Sequence, residues 1–269
     1  MNEDLSNDSL YSTAFVQAVE YCGSNKLFLG LGNPDAKILI LGKEQAYNNV
    51  HLPNTRDFIT EILQNRSLEN ERNIIGWKKN IAENYKPFWE EMPTNGANPV
   101  YSWGAQRNVA NRKSSGIWNG GTSSTYLKYQ KLYQFITGEH TKSGRIGFQK
   151  DFFISELSDI PTKYSYVNKA LSEVRAESIA KRKMLFKKAY FKKFPVIIIA
   201  AGHYPRDYGF DMEEVFEVKF ARQKFADKSW YNLHYSQCGE RILIHTRQLS
   251  MDVTDNLLEK IASECHAFF

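Results

Sequence analysis

A chain of 269 residues with 42% hydrophobic and 24% charged residues has room for a sizeable core and the balance of an ordinary globular protein. It has no run approaching the roughly 18 apolar residues of a membrane helix, and its opening MNEDLSNDSL is polar and acidic, unlike a secretory signal, so a soluble cytoplasmic protein is expected. Lys and Arg outnumber Asp and Glu by 35 to 30, compatible with a polyanionic partner, and the scattered Cys22, Cys238 and Cys265 fit neither a disulfide framework nor a CxxC cluster site.

In chain order, the first clear element is the compact apolar run KILILG at 37–42, which reads as a strand covered on both faces. A helical pattern, TRDFITEIL, follows it. The Asn-, Gly- and Ser-rich stretch from Pro93 to Gly121 lacks a period and reads as a long loop region. NGGTSST at 119–125 then leads into the helical STYLKYQKLYQFI; its backbone N–H groups offer a phosphate cradle, or simply an ordinary helix cap. DFFISEL at 151–157 is a second strand. Val167 to Phe194 is helical and contains KRKMLFKKAYFKK, seven basic residues with no acidic one, read either as a solvated helix face or as a phosphate-tracking face that includes Lys187 and Lys188. PVIIIAAG at 195–202 is a third strand. EVFEVKF and NLHYSQC alternate apolar and polar residues and predict a small antiparallel addition. RILIHT at 241–246 is a fourth buried strand, and TDNLLEKIASE a closing helix.

This order predicts one α/β domain over 1–269, with its core at about 30–262: a three-layer α/β/α sandwich around a central, mainly parallel short sheet, plus the antiparallel addition. In such sheets ligands sit beyond the carboxyl ends of the strands. The residues just after each strand are therefore the first candidates: Gly42 to Asn49, Ser155 to Asp159, His203 with Tyr204 and Arg206, and His245 to Ser250. GLGNP at 30–34 precedes its strand, so it is not a dinucleotide fingerprint. The six histidines show no ligand spacing with each other or with cysteine; no metal and no cofactor is expected.

H-T-R-Q-L-S at His245 to Ser250 and G-K-E-Q-A-Y at Gly42 to Tyr47, with the strand phrases GLGNPDAKILILGKE and VIIIAAG, resemble the two signature motifs and core strands of the uracil-DNA glycosylase superfamily. The resemblance covers most of residues 30–262. It departs at Gln45, Ala46 and Tyr47, where the family has proline, an aromatic and histidine, and in FFISELSDIP, where the base-reading asparagine has no match and Ser155 or Glu156 lies closest.

The resemblance implies a DNA-repair protein that binds DNA, as a single strand or a damaged duplex, and hydrolyses the N-glycosidic bond of a damaged base. Such cleavage needs negative charge near the sugar and a donor near the base, roles that fall to Glu44 and His245. Leu249 would be the wedge that fills the vacated stack and Ser250 a phosphate grip, with Gly42, Tyr47 and Ser155 in the substrate pocket. Tyr47, Trp103 and Trp118 are candidates to stack on the base. Arg247, where the family has a small residue, is suited to a phosphate.

Each residue also has a plainer reading: His245 satisfied by a backbone carbonyl, Leu249 in the core, Glu44 capping the next helix, Ser250 capping a turn. Two further functions stay open. One is a nucleic-acid or nucleotide binding module on the same fold without catalysis; the other is an unrelated α/β enzyme acting on a small phosphorylated substrate.

Overall fold

The computed structural model of the chain describes residues 9–44, 56–86, 124–139, 147–161, 170–250 and 252–268. A single mixed sheet of seven strands organises them. β1 (Leu31–Gly32), β2 (Ile38–Gly42), β3 (Phe152–Glu156), β4 (Val196–Ala200), β5 (Val218–Ala226), β6 (Ser229–Ser236) and β7 (Ile242–Thr246) lie in the order β1-β3-β2-β4-β7-β6-β5. β3, β2, β4 and β7 are mutually parallel, while β1 at one edge and the β6–β5 hairpin at the other run antiparallel. The four apolar runs expected as strands are the four parallel strands.

Their composition follows from burial on both faces. Leu39, Leu41, Phe153, Ile197 and Ile199 join one apolar cluster; Ile38, Ile40, Phe152, Ile154 and Ile198, one position out of phase, join another. With period-2 side chains and both faces covered, consecutive positions are apolar until the carboxyl ends of β3 and β7, and the alternation vanishes. The first cluster includes α1 (Thr13–Asn25), α4 (Ala170–Phe186) and α5 (Ala189–Lys192); the second includes α3 (Ser124–Thr137) and α8 (Asp255–Cys265). No helix among the described residues is long and apolar enough to cross a membrane.

The antiparallel addition needs one correction. Only the end of EVFEVKF is strand: Met212–Phe216 forms α7, because Asp211 caps it by accepting from the Glu214 N–H and Glu217 ends it in the left-handed region at φ 56°. The hairpin turns at Asp227 and Lys228, with Asp227 at φ 53° taking the position that glycine usually fills. The helix expected after β2 is present but longer, and a helix before β1 was not expected. α2 runs from Arg56 to Ala82, well beyond TRDFITEIL, and α1 is capped by the Ser12 hydroxyl, with Phe15, Val19 and Cys22 as its buried stripe.

The carboxyl end of β3 is fixed by a buried polar network. Arg182 of α4, one of the seven cations of the basic run, has no exposed surface. Its guanidinium donates to the carbonyls of Glu156 (2.7 Å) and Phe28, and to the Ser155 hydroxyl (2.7 Å), which itself donates to the Leu29 carbonyl (2.8 Å). Asp159 accepts from Ser178 (2.7 Å) and Asn70 (2.8 Å) and pairs with Arg66 at 2.8 Å, so α2 and α4 grip the same loop. Burial pushes the Asp159 carboxyl up, but Arg182 and Arg66 outweigh it and hold the group below its ordinary value. Removing the cation leaves a buried carboxylate underpaired and two carbonyls orphaned. Arg182→Ala is expected to lower unfolding stability by about 3–5 kcal/mol in urea denaturation; a loss close to zero would mean that Arg182 does not carry the network.

Candidate functional site

The strand order reverses between β2 and β4: the chain moves from β2 outward to β3, then crosses to β4 and on to β7. Loops at the carboxyl side of such a reversal diverge and leave a crevice. Two concavities lie on this side of the molecule, and they share His203 and Trp230.

The smaller, a cleft of about 320 Å³, gathers the ends of β2, β4 and β7 and the β5–β6 turn. Lys43, Lys228 and Arg247 bring three positive charges to it, Ser229 and Ser250 bring hydroxyls, and Gly202 supplies backbone. Among the described residues that line it, none carries a carboxylate. Gly202 turns at φ 59°, a conformation that favours glycine, and its Cα lies close enough to the lysine that an added Cβ would stand 3.6 Å from Lys43 Cε. The Lys43 ammonium lies 5.1 Å from the Tyr204 ring centre. Burial holds it below its ordinary pKa; Glu44 opposes this, while Arg175 and Arg247 add to it. A cation half withdrawn from water beside two others is relieved by a bound anion.

Glu44, the expected catalytic carboxylate, is engaged elsewhere. It pairs with Arg175 at 3.4 Å and accepts from the Tyr204 hydroxyl at 2.5 Å, and it lines neither concavity. Gly42 acts by its size: an added Cβ would stand 2.1 Å from Glu156 Oε2. That oxygen is buried without a hydrogen-bond partner, and burial pushes the Glu156 carboxyl up to about 8 despite the pull of Arg182. Glu156 is therefore largely protonated at neutral pH.

His245 lines the larger groove, of about 820 Å³. Its Nε2, in the tautomer that carries the proton there, donates to the Gly202 carbonyl at 2.7 Å, and its ring meets Trp230 edge to face with centroids 5.0 Å apart. The plainer reading of this histidine is thus the one realised at Nε2, and the ring is held in place between a backbone turn and an aromatic wall.

Several expectations are corrected. Leu249 is completely buried in the cluster that contains α3 and α8, so it is a core residue and has no free surface to wedge into a base stack. Ser155 is also fully buried, and its hydroxyl is used by Arg182 and Leu29, leaving it no route to a substrate. Lys187 and Lys188 lie between α4 and α5, just before β4 begins, and therefore at the amino end of the sheet; they line neither concavity, although Glu214 of the larger groove's wall is within reach of Lys187. Lys187 pairs with Glu214 at 2.5 Å, as does Lys183, and Lys188 sits 4.1 Å from the Tyr21 ring centre. Glu214 on α7 offsets part of the charge of Lys183 and Lys187, and Tyr21 on α1 packs beside Lys188, on what reads in the sequence as a phosphate-tracking face. Arg247 and Ser250, by contrast, do meet in the cationic cleft. Tyr47, Trp103 and Trp118, the 93–121 loop and most of NGGTSST lie outside the described residues.

Lys228, Ser229 and Trp230 were not singled out from the sequence, and Lys43 stood among the Gly42 to Asn49 candidates without a role of its own. Lys43 carried a usable signal, since it is the first charged residue after a strand's carboxyl end; Lys228 through Trp230 became visible only once the hairpin placed its turn beside β7. Comparisons with protein-family models, with curated proteins and with solved structures find no match for this chain.

Burial lowers the His245 pKa to about 4 from an ordinary 6.5, with His234 and His203 adding to the depression and the Gly202 carbonyl opposing it. The unfolded chain therefore takes up more protons than the folded one between those values, so stability is full above about 6.5 and is lost as the pH falls toward 4. Urea denaturation across this range is expected to show the loss, and His245→Gln to flatten it. An acid limb unchanged in the variant would contradict a buried neutral ring.

Proposed function

We propose that the chain is a uracil-DNA-glycosylase-like domain, a three-layer α/β/α sandwich in architecture, that binds nucleic acid by its phosphates and acts as a binding module rather than a base-releasing enzyme. The observation that carries this reading is the cleft at the strand-order reversal, where Lys43, Lys228 and Arg247 converge with two serine hydroxyls and without a lining carboxylate. Arg247 offers a planar fork for two phosphate oxygens, and Lys43 a point charge on the other side. Ser229 and Ser250 have the donors to complete such a contact.

The same geometry weighs against glycosidic cleavage. A developing sugar cation needs an available negative charge, and the Glu44 charge is matched by Arg175 and Tyr204. Extrusion of a base needs a filler for the stack, and Leu249 is in the core. In the basic run Lys183 and Lys187 face Glu214 of α7 and Lys192 faces Glu217, which lowers the positive charge that this surface offers to a phosphate backbone.

Phosphate binding makes a quantitative expectation about salt. Each neutralised phosphate releases counterions, so affinity falls with salt in proportion to the number of contacts. In fluorescence-anisotropy titrations of a labelled oligonucleotide, Arg247→Ala is expected to weaken binding about tenfold and to reduce the slope of log K against log salt by about one. Lys187→Ala is expected to leave both unchanged. The opposite pattern, or His245-dependent release of uracil from the same oligonucleotide, would overturn the binding-module reading.

A further inference from the structure

The antiparallel end of the sheet carries a face that the parallel core does not explain. Alternate positions of a strand share a side, so Trp230, Asn232 and His234 of β6 stand together. The register of the hairpin sets Phe225 beside Trp230, Gln223 beside Asn232 and Phe220 beside His234. Phe220 and Phe225 are five residues apart, an odd separation that in a regular strand sends two side chains to opposite faces. The register shift between Phe220 and Arg222 inserts one residue and brings both rings back to the same side. His245 joins from β7, directly across from Asn232. Gln223, Trp230, Asn232, His234 and His245 of this face line the larger groove, and Phe220 and Phe225 continue the face beyond its lining.

An edge strand ordinarily needs protection from pairing with another chain, and charged side chains provide it. Lys219, Arg222 and Lys224 of β5 serve that purpose. Two phenylalanines do not: Phe220 is 53% exposed and Phe225 65%, although each could have been polar at no cost to the core. The polar groups between the rings are equally unexplained by folding. His234 is only 4% exposed, yet neither of its ring nitrogens has a hydrogen-bond partner, and Asn232 Oδ1 is buried in the same state. The nearest carboxylate oxygen to His234, on Glu213, is 3.7 Å from Nδ1, beyond hydrogen-bond reach. Buried polar atoms without partners are costly to a fold, and each calls for a partner that the protein's own side chains do not supply.

Exposed aromatic rings interleaved with base-edge donors and acceptors, beside a cationic cleft, match the chemistry of an unpaired strand. Every base has a π face on which a ring can stack without regard to sequence, and only an unpaired base offers that face together with its Watson–Crick edge. The geometry points to a base-stacking platform for single-stranded nucleic acid on the β5–β6–β7 face, with Phe220, Phe225 and Trp230 under the bases and Asn232 and His234 at their edges. The backbone then passes into the Lys43–Lys228–Arg247 cleft, which meets the groove at His203 and Trp230. The His203 ring stacks on Trp230 with centroids 5.9 Å apart and closes the junction. The groove wall carries three carboxylates, and each is engaged within the protein: Glu214 pairs with Lys183 and Lys187, Glu213 lies 3.7 Å from Lys219 and accepts from the Phe220 N–H, and Asp211 accepts from the Glu214 N–H. A duplex keeps its base faces and Watson–Crick edges inside its own stack and offers the platform nothing to stack, so it has only the cleft to bind.

This inference rests on the phosphate-binding reading, so its test separates the two. Anisotropy titrations compare three labelled probes with equal phosphates per strand: a mixed-sequence single strand, its duplex, and a strand of abasic residues. The single strand is expected to bind about a hundredfold more tightly than the abasic strand, from two or three stacked bases. Phe220→Ala with Phe225→Ala is expected to remove at least about tenfold of that difference, while leaving abasic-strand affinity and salt slope unchanged. Both rings are exposed, and the probe comparison on the unaltered protein stands without the variant. Equal affinity for the single and abasic strands, with Arg247→Ala still weakening both, would overturn the platform and leave the cleft. Indifference of the abasic strand to Arg247→Ala would overturn the cleft and the platform with it.

Discussion

The buried guanidinium of Arg182 is the constraint on which the carboxyl edge of this sheet depends. It satisfies two carbonyls and a serine hydroxyl that no water reaches, and its charge offsets Asp159, which in turn holds Arg66 and Asn70 of α2 and Ser178 of α4. A network of this kind is costly when incomplete and rigid when filled. It fixes the end of β3 against the segment before β1 and, through the β2–β3 pairing, positions Gly42 and the two residues that follow it. Leu157 and Ser158 then donate to the carbonyls of Gly42 and Lys43 at 2.9 Å, so the backbone at Lys43 is set by the same arrangement.

From that edge the molecule divides its work. The parallel strands are wholly internal and supply only their ends: Lys43 from β2, Gly202 and His203 after β4, Arg247 after β7. The antiparallel hairpin has one side packed against α8, where Lys224 reaches Glu264 at 2.6 Å, and the other open. Its turn delivers Lys228 and Ser229 to the ends of the parallel strands, and its open side delivers the aromatic row. Thr246 donates to the Trp230 carbonyl at 2.9 Å and holds the two parts in register.

Much of the core was legible because a strand buried on both faces has no choice but to be apolar. KILILG, DFFISEL, PVIIIAAG and RILIHT needed no tertiary information. The hairpin was only half legible: Asp227 adopts a left-handed turn without the glycine that would have announced it, and the bulge in β5 breaks the alternation that marks a strand. The site was less legible still, because charge in a sequence does not say which way it points. Of seven cations in KRKMLFKKAYFKK one is buried and others are paired with α7, whereas the three that converge come from positions 43, 228 and 247. Leu249 matched a motif by position and Ser155 merely lay closest to an unmatched one, and a position next to a strand end is compatible with pointing either outward or into the core.

The most direct measurement is photo-crosslinking of a single-stranded oligonucleotide carrying a photoreactive base, followed by peptide mapping. Crosslinks within residues 218–236, with Arg247→Ala lowering their yield, are the expected result. Crosslinks concentrated in residues 181–193 would contradict the assignment, placing nucleic acid on the basic helix and leaving the strand-end cleft to other use.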